Sequence, residues 1–411
     1  MDMLKTVLAK IKPTKDEEKQ VNDVVRVFLD KLNKNLKYAK AVLGGSGAKN
    51  TWLKGSHDVD IFVQYDYNKF RDKNISDLLE KILKKLFKIE KLHGSRDYFQ
   101  VKYGGFTFEV IPILKISKAD KALNITDISP LHAKWVNKFD YADDIRLMKQ
   151  FCRANEVYGA ESYIRGFSGY DCEILVIYYK GFMNLVKNAS KWGKKVVIDS
   201  EKYYKDDKEV LRDMNVSKKV SPLIIVDPVQ KERNVAAALN EEKFELFKIK
   251  CKRFLKEKSS DFFEIKEVTI DDLKKKAGKN KLILFEAENI KNKVDIAGSK
   301  LLKAFNYIGK YFSLNDFQIV NEGWRWDKKK KALFWFIIED VVLDDFIKRE
   351  GPPVKAKKHA DNFKKAHKNA FAEKGRLYAK IKREFRKPEE FAKFIINDEY
   401  LKDKIKKIIF V

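Results

Sequence analysis

The segment Leu43–Tyr65, LGGSGAKNTWLKGSHDVDIFVQY, constrains this chain more than any other. It joins a Gly-Ser turn to two aspartates spaced D-x-D at the head of an apolar run. Strand side chains alternate between faces, so a strand over DVDIFV puts Asp58 and Asp60 on one face, close together. Two carboxylates held that way repel each other, and a divalent cation resolves the repulsion. Upstream, Gly45 and Ser46 supply a turn whose backbone N–H groups and hydroxyl suit a phosphate. A phosphate cradle followed by paired carboxylates points to phosphoryl or nucleotidyl transfer with paired metals.

Two metals need a third carboxylate, and Glu109 in YGGFTFEVIPIL is the candidate. Phe106, Phe108 and Val110 alternate there with Thr107, Glu109 and Ile111, the pattern of a strand with one buried face. The preceding Gly104-Gly105 turn suits a strand that returns beside DVDIFV.

The pattern along the chain predicts an α+β multidomain protein. Thr14 and Glu17 form a capping box ahead of the helix QVNDVVRVFLDKLNKNL. The strands YAKAVLG and DVDIFVQY follow, then a helix SDLLEKILKKLFKI capped by Ser76. A hairpin turns on Gly104-Gly105. These form a small mixed sheet with helices, residues 1–135. A helical domain, 136–257, comes next. In DDIRLMKQFCRANEVYG, positions 145, 147, 148, 151 and 152 lie on one helical stripe. Lys149 lies off its centre, where an exposed lysine is the usual occupant. GFSGYDCEILVIYYKGFMNLVKNA reads as a buried helix after a Gly-rich turn. Pro228 is expected in a loop leading to a helix that Arg233 opens. The third domain, 258–411, reads strand-helix-strand-strand with a basic helical tail. Phe334, Trp335 and Phe336 are expected in its core. Lys219–Asp227 and Glu350–Lys358 read as connecting stretches.

Charge agrees with a polyanionic partner. Lys and Arg number 87 against 60 Asp and Glu, a net charge of +27, and such a field attracts polyanions. From Lys355 to Lys387 there are thirteen Lys or Arg and three Asp or Glu. Lys355, Lys357, Lys358, Lys364 and Lys365 in that stretch are the candidate RNA-backbone contacts. No segment approaches the roughly 20 apolar residues of a spanning helix, so no membrane is expected. Cys152, Cys172 and Cys251 are scattered and read as reduced core residues of a cytoplasmic protein.

The chain resembles the archaeal-type (class I) CCA-adding enzymes, tRNA nucleotidyltransferases of the polymerase-beta superfamily. The resemblance runs over nearly the whole chain. It rests on GSGAKNTWLKGSHDVDIFV, SPLHAKW (129–135) and IRLMKQFCRANEVYGAESYIRGFSGYDCEILVIYY (145–179). It continues in VDPVQKERNVAAAL (226–239), GWRWD (323–327) and GPPVKAKKHADNF (351–363). The block YGAESYIRGFSGY is its most specific part.

That resemblance implies a polymerase-beta-type catalytic domain, a central domain that recognises the nucleotide base, and a C-terminal tRNA-binding domain. It implies CTP, ATP and tRNA as substrates and Mg²⁺ as cofactor, with a homodimer left open. Asp58, Asp60 and Glu109 correspond to the metal carboxylates. Ser46 and Lys49, beside Gly45, correspond to contacts with the nucleotide phosphates. Ser129 and His132 correspond to ribose and triphosphate contacts, and Lys149 and Tyr158 to triphosphate contacts. Arg233 corresponds to the arginine that reads the incoming base. The family pattern differs in having Glu at 58, Asp at 109, Tyr at 47, Arg at 49 and Thr at 129. Lys at 49 keeps the charge and loses the bidentate fork.

Arg233 has a chemical logic for its implied role. A guanidinium only donates hydrogen bonds. C and A present a ring acceptor nitrogen on the pairing edge, whereas U and G carry a proton there. A donor-built site therefore selects C and A without a template. Two other readings stay open from sequence. One is a poly(A) polymerase or oligoadenylate synthase; the other is a tRNA-binding protein whose catalytic site has decayed.

Overall fold

A computed structural model describes residues 2–56, 58–290 and 293–411; His57, immediately before the D-x-D motif, lies outside them. The contacts divide the chain once, into a unit ending at Lys266 and a unit beginning at Glu267. Several sheets and many helices make it an α+β multidomain protein, as the pattern predicts.

The first unit carries a five-stranded sheet in the order Ala39–Leu43, Asp58–Asp66, Phe106–Lys115, Tyr98–Tyr103, Ile89–Leu92. Asp58–Asp66 and Phe106–Lys115 pair in parallel at its centre. Their apolar positions are buried on one face, with Phe28 and Leu32 of the helix Lys15–Asn33 and Leu79 and Leu83 of Ile75–Leu86 packed against them. The Thr14–Glu17 capping box is present. The expected hairpin turns on Gly104 and Gly105, both at positive φ, 58° and 84°, where a side chain is strained. The helix Ile75–Leu86 is capped by Asn74, not Ser76: the Asn74 side-chain Oδ1 accepts from the amides of Ser76 and Asp77.

A second core in this unit gathers the helices Asp2–Ile11, Ala142–Ala154, Gly169–Tyr178, Phe182–Ala189 and Glu241–Glu257. The stripe Ile145, Leu147, Met148, Phe151 and Cys152 is buried in it as expected, and all three cysteines are buried and free. Three expectations fail here. The run GFSGYDCEILVIYYKGFMNLVKNA forms two helices, Gly169–Tyr178 and Phe182–Ala189, because the chain turns at Lys180 and Gly181, both at positive φ. Leu223–Asp227 is a strand with every residue buried, not part of a connection. Arg233 lies in the antiparallel strand Gln230–Asn234, not at a helix start; Pro228 opens the turn between these strands.

The second unit contains the expected strand-helix-strand-strand order. Lys281–Asn289 and Lys331–Ile338 pair, Ile319–Trp326 flanks them, and the helix Val294–Leu314 covers the face. Phe334, Trp335 and Phe336 are buried. The basic tail is only partly helical. Phe346–Pro353 is a strand, not a connection, and it joins Arg376–Lys382 and Ala370–Glu373 in a small sheet beside the helix Lys357–Ala366. Ile405–Phe410 then returns to pair with Lys281–Asn289. Among the described residues no helix is long and apolar enough to cross a membrane.

Candidate active site

The parallel register sets Asp60 opposite Glu109 and Asp58 opposite Thr107. Asp58 and Asp60 share a face by the strand period, and the register brings Glu109 to it. None of the three forms an ion pair among the described residues; Glu109 accepts a 2.9 Å bond from Gln100. Burial first, then the charges of Glu109 and Asp58, push the Asp60 carboxyl up to about 6, against the opposing pull of Lys49. Among the described residues no three His, Cys, Asp or Glu side chains form a ready-made metal cluster. What the backbone supplies is three carboxylate positions on one face, and hard oxygen donors suit Mg²⁺.

The Gly-Ser segment is not an open loop. It is a helical turn, Gly45–Ala48, at the edge of the carboxylate site. The Gly44 amide donates to the Asp60 carbonyl at 2.7 Å. Gly45 has φ +52°, and a Cβ on it would lie 1.6 Å from the Asp60 Oδ2. Glycine is therefore required twice, by conformation and by space. Gly45→Ala is expected to displace the Asp60 carboxylate and lower kcat by about 100-fold, the usual penalty for ångström-scale misplacement. Steady-state incorporation alongside far-UV circular dichroism checks it; normal turnover would show that this contact has no role.

Lys49 ends the turn, and its ammonium donates to Glu173 at 2.6 Å. Lys149, from the helix Ala142–Ala154, donates to the other Glu173 oxygen at 2.8 Å and to Thr51 Oγ1 at 2.8 Å. Lys149 is thus buried in an ion pair and not the exposed helix lysine that its place on the stripe suggests. Glu173 sits 1% exposed in an apolar helix. Burial alone would raise its carboxyl, but Lys149 and Lys49 outweigh burial and hold it at about 2. Tyr158 packs on the neighbouring core, near the helix start at Gly169 and Lys149. Arg146, also buried, fastens the loop after the turn through the Trp52 carbonyl at 3.0 Å and Asn50 at 2.8 Å.

The third group is built around Asp227. His132, on the helix Ser129–Val136 that Ser129 begins, bonds through Nε2 to Asp227 Oδ2 at 2.9 Å. Arg233 Nη1 donates to the same oxygen at 2.6 Å. Burial, together with the charges of Arg233 and Lys49, keeps the imidazole below its ordinary pKa despite Asp227. Burial opposes ionisation of Asp227, yet His132, the Val229 amide and Arg233 hold its carboxyl low. A neutral imidazole facing a carboxylate carries its proton on Nε2, which leaves Nδ1 as an acceptor. Tyr170 stacks on His132 at 4.1 Å, and the Lys49 ammonium lies 5.6 Å from the Tyr170 ring centre.

The first unit therefore brings most of the sequence-predicted residues into one continuous set. Gly45 touches Asp60, Lys49 and Lys149 meet on Glu173, and Tyr170 links Lys49 to His132, Asp227 and Arg233. Ser46 lies in the turn, with no hydroxyl hydrogen bond among the described residues; the same holds for Ser129. Glu173, Asp227 and Tyr170 escape the sequence reading. Their signals are an acid inside the apolar run CEILVIYY and an acid closing LIIVD. Lys355, Lys357, Lys358, Lys364 and Lys365 are all exposed in the second unit, at and along the helix Lys357–Ala366, and none is ion-paired among the described residues.

Comparison with known proteins bears on this geometry. The family described as "tRNA nucleotidyltransferase, second domain" matches residues 143–264, and "CCA-adding enzyme, C-terminal domain" matches 278–409. A "Second Messenger Oligonucleotide or Dinucleotide Synthetase domain" matches 1–145. A CCA-adding enzyme of Nanoarchaeum equitans is 37% identical over 91% of this chain and 91% of its own length. One of Methanocaldococcus jannaschii is 31% identical over 96% and 90%. Among solved structures, a Cid1 poly(U) polymerase bound to MgATP covers 64% of this chain and 98% of its own, with a TM-score of 0.52 and 14% identity; that likeness concerns the fold alone. With relatives of this identity along nearly its whole length, the chain belongs to the archaeal-type CCA-adding enzymes.

Proposed function

We infer that this chain adds C, C and A to the 3′ end of tRNA from CTP and ATP, releasing pyrophosphate without a template. The observation that carries the reading is the continuous set in the first unit: carboxylates, phosphate-facing turn, paired lysines and a tethered arginine. Asp58, Asp60 and Glu109 would hold divalent cations, Mg²⁺ in the first place. Bound there, the cations would supply Lewis acidity that activates the RNA hydroxyl and neutralises the leaving pyrophosphate.

The remaining steps belong to the chain's own residues. The Gly45–Ala48 turn offers N–H groups and the Ser46 hydroxyl to the triphosphate. Lys49 and Lys149 neutralise its charge, with Tyr158 beside them. Ser129 and the Nδ1 of His132 face the ribose hydroxyls as donor and acceptor. Arg233 selects the base by donating to the acceptor nitrogen of C or A. The RNA 3′-hydroxyl attacks the α-phosphate in line, its proton leaves, and the bond to pyrophosphate breaks. We assign catalysis to residues 1–135, base recognition to 136–257 and tRNA binding to 258–411. The exposed lysines 355, 357, 358, 364 and 365 grip the acceptor stem and T arm by backbone contact, since A-form RNA is read mainly by shape. A cytoplasmic location completes the reading; sedimentation decides between monomer and homodimer.

Nucleotide omission tests the function. A tRNA ending at the discriminator base is expected to take no nucleotide from ATP alone, two from CTP alone and three from both. A long ladder from ATP alone would replace CCA addition by poly(A)-type synthesis. Raising salt from 50 to 200 mM is expected to weaken tRNA binding by about tenfold or more. A filter-binding salt series checks this, and a flat response would remove the basic tail from the interface.

A further inference from the structure

We infer that Asp227 is the positioning residue for base selection: it tethers the Arg233 guanidinium and the His132 imidazole together, fixing which donors face the incoming base. The inference rests on the proposed role of Arg233 and extends it to the group that sets the arginine's direction.

Three observations carry it. Asp227 is wholly buried at the end of a strand whose five residues are all buried, so its carboxylate is a fixed point. Its oxygens accept three bonds: Oδ2 from His132 Nε2 at 2.9 Å and Arg233 Nη1 at 2.6 Å, and Oδ1 from the Val229 amide at 3.0 Å. Arg233 is 28% exposed and makes no other side-chain hydrogen bond among the described residues. One end of the fork is therefore held while the other N–H groups stay available.

An untethered arginine samples several rotamers and turns its donors to acceptors in different places. It then satisfies the carbonyl oxygens of U or G as readily as the ring nitrogen of C or A. Held on Asp227, it presents a fixed donor pattern, and a mismatched proton meets a donor that cannot turn away. Asparagine cannot replace aspartate here. All three partners are donors, and the amide offers one acceptor oxygen and one further donor. The same carboxylate fixes the His132 tautomer, so ribose and base recognition share one anchor.

The test is the ratio of kcat/KM for CTP and ATP to that for UTP and GTP, measured on the full-length protein with tRNA. A ratio on one preparation does not depend on its active fraction. Asp227→Asn is expected to lower the ratio by about tenfold or more, with tRNA affinity unchanged. An unchanged ratio, or an equal loss with all four nucleotides, would overturn the inference and leave Asp227 a packing residue. Where Asp227→Asn does not fold, Asp227→Glu, which keeps the charge and shifts the oxygens, is read by the same ratio and decides the same way. Arg233→Ala separates the two levels. If that variant keeps the ratio, the base-reading role fails and the inference with it. If it loses the ratio while Asp227 variants keep theirs, only the tether fails.

Discussion

Asp60→Ala is expected to lower nucleotide incorporation by on the order of 10³-fold or more, with tRNA affinity within about twofold of the parent. The separation follows from position. Asp60 lies at the centre of the catalytic sheet, opposite Glu109 and against the Gly45 backbone. RNA affinity comes mainly from phosphate contacts with exposed cations, and the exposed lysines 355, 357, 358, 364 and 365 lie in the second unit, away from Asp60 in sequence. Removing Asp60 also removes repulsion: its carboxyl is crowded by burial, Glu109 and Asp58. The variant without metal is therefore expected to melt no lower than the parent. Single-turnover incorporation, tRNA binding and thermal melting check the three parts. A variant with normal rates would remove Asp60 from the chemistry.

Glu173→Ala carries the largest expected cost in stability, about 3–5 kcal/mol, because it leaves two cations without their buried partner. Lys149 and Lys49 both end on this carboxylate, at 2.8 and 2.6 Å, and they come from separate parts of the first unit. Denaturant unfolding measures the loss, and a change below about 1 kcal/mol would mean that the lysines find other partners. The KM for nucleotide should rise as well, since neither ammonium keeps its direction. Stability should also depend on acid in a defined sense. Glu173 is held at about 2 in the folded protein against an ordinary value of 4.5. Its contribution is thus present above pH 4.5 and is lost as pH falls through 2. The parent is expected to lose more stability over that window than Glu173→Gln; equal losses would contradict the pairing.

The legible parts of the sequence were those with a local period or cap. DVDIFV alternates, Thr14 and Glu17 are three residues apart, and Gly104-Gly105 separates two alternating runs. Each signal lies within one element, so it survives without tertiary context. Arg233 shows where this fails. Its strand reads QKERN, entirely polar, and lies at the edge of a three-stranded sheet. A polar edge strand whose one buried residue is Asn234 shows no apolar alternation, and the preceding proline mimics the start of a helix. The helix Asp2–Ile11 is only ten residues long, marked by apolar spacing alone.

The site divides along the same line. Asp58, Asp60, Gly45 and Ser46 are near one another in sequence, and the motif exposes them. Glu173 and Asp227 each have a partner far along the chain: Lys49 is 124 positions from Glu173, and His132 is 95 from Asp227, whose other side-chain partner, Arg233, is six away. No window holds both members of such a pair. The burial of Lys149 is hidden from sequence for a related reason. A lysine beside an apolar stripe belongs in water unless a buried acid waits for it, and only the fold brings Glu173 there.

The product ladder is the most direct test of the whole account. Purified full-length protein, Mg²⁺, labelled CTP and ATP, and a tRNA ending at the discriminator base are incubated and resolved at single-nucleotide resolution. Bands are expected at plus one, plus two and plus three, then a stop, with the third band requiring ATP. Extension beyond plus three, or tRNA binding without any extension, would contradict it.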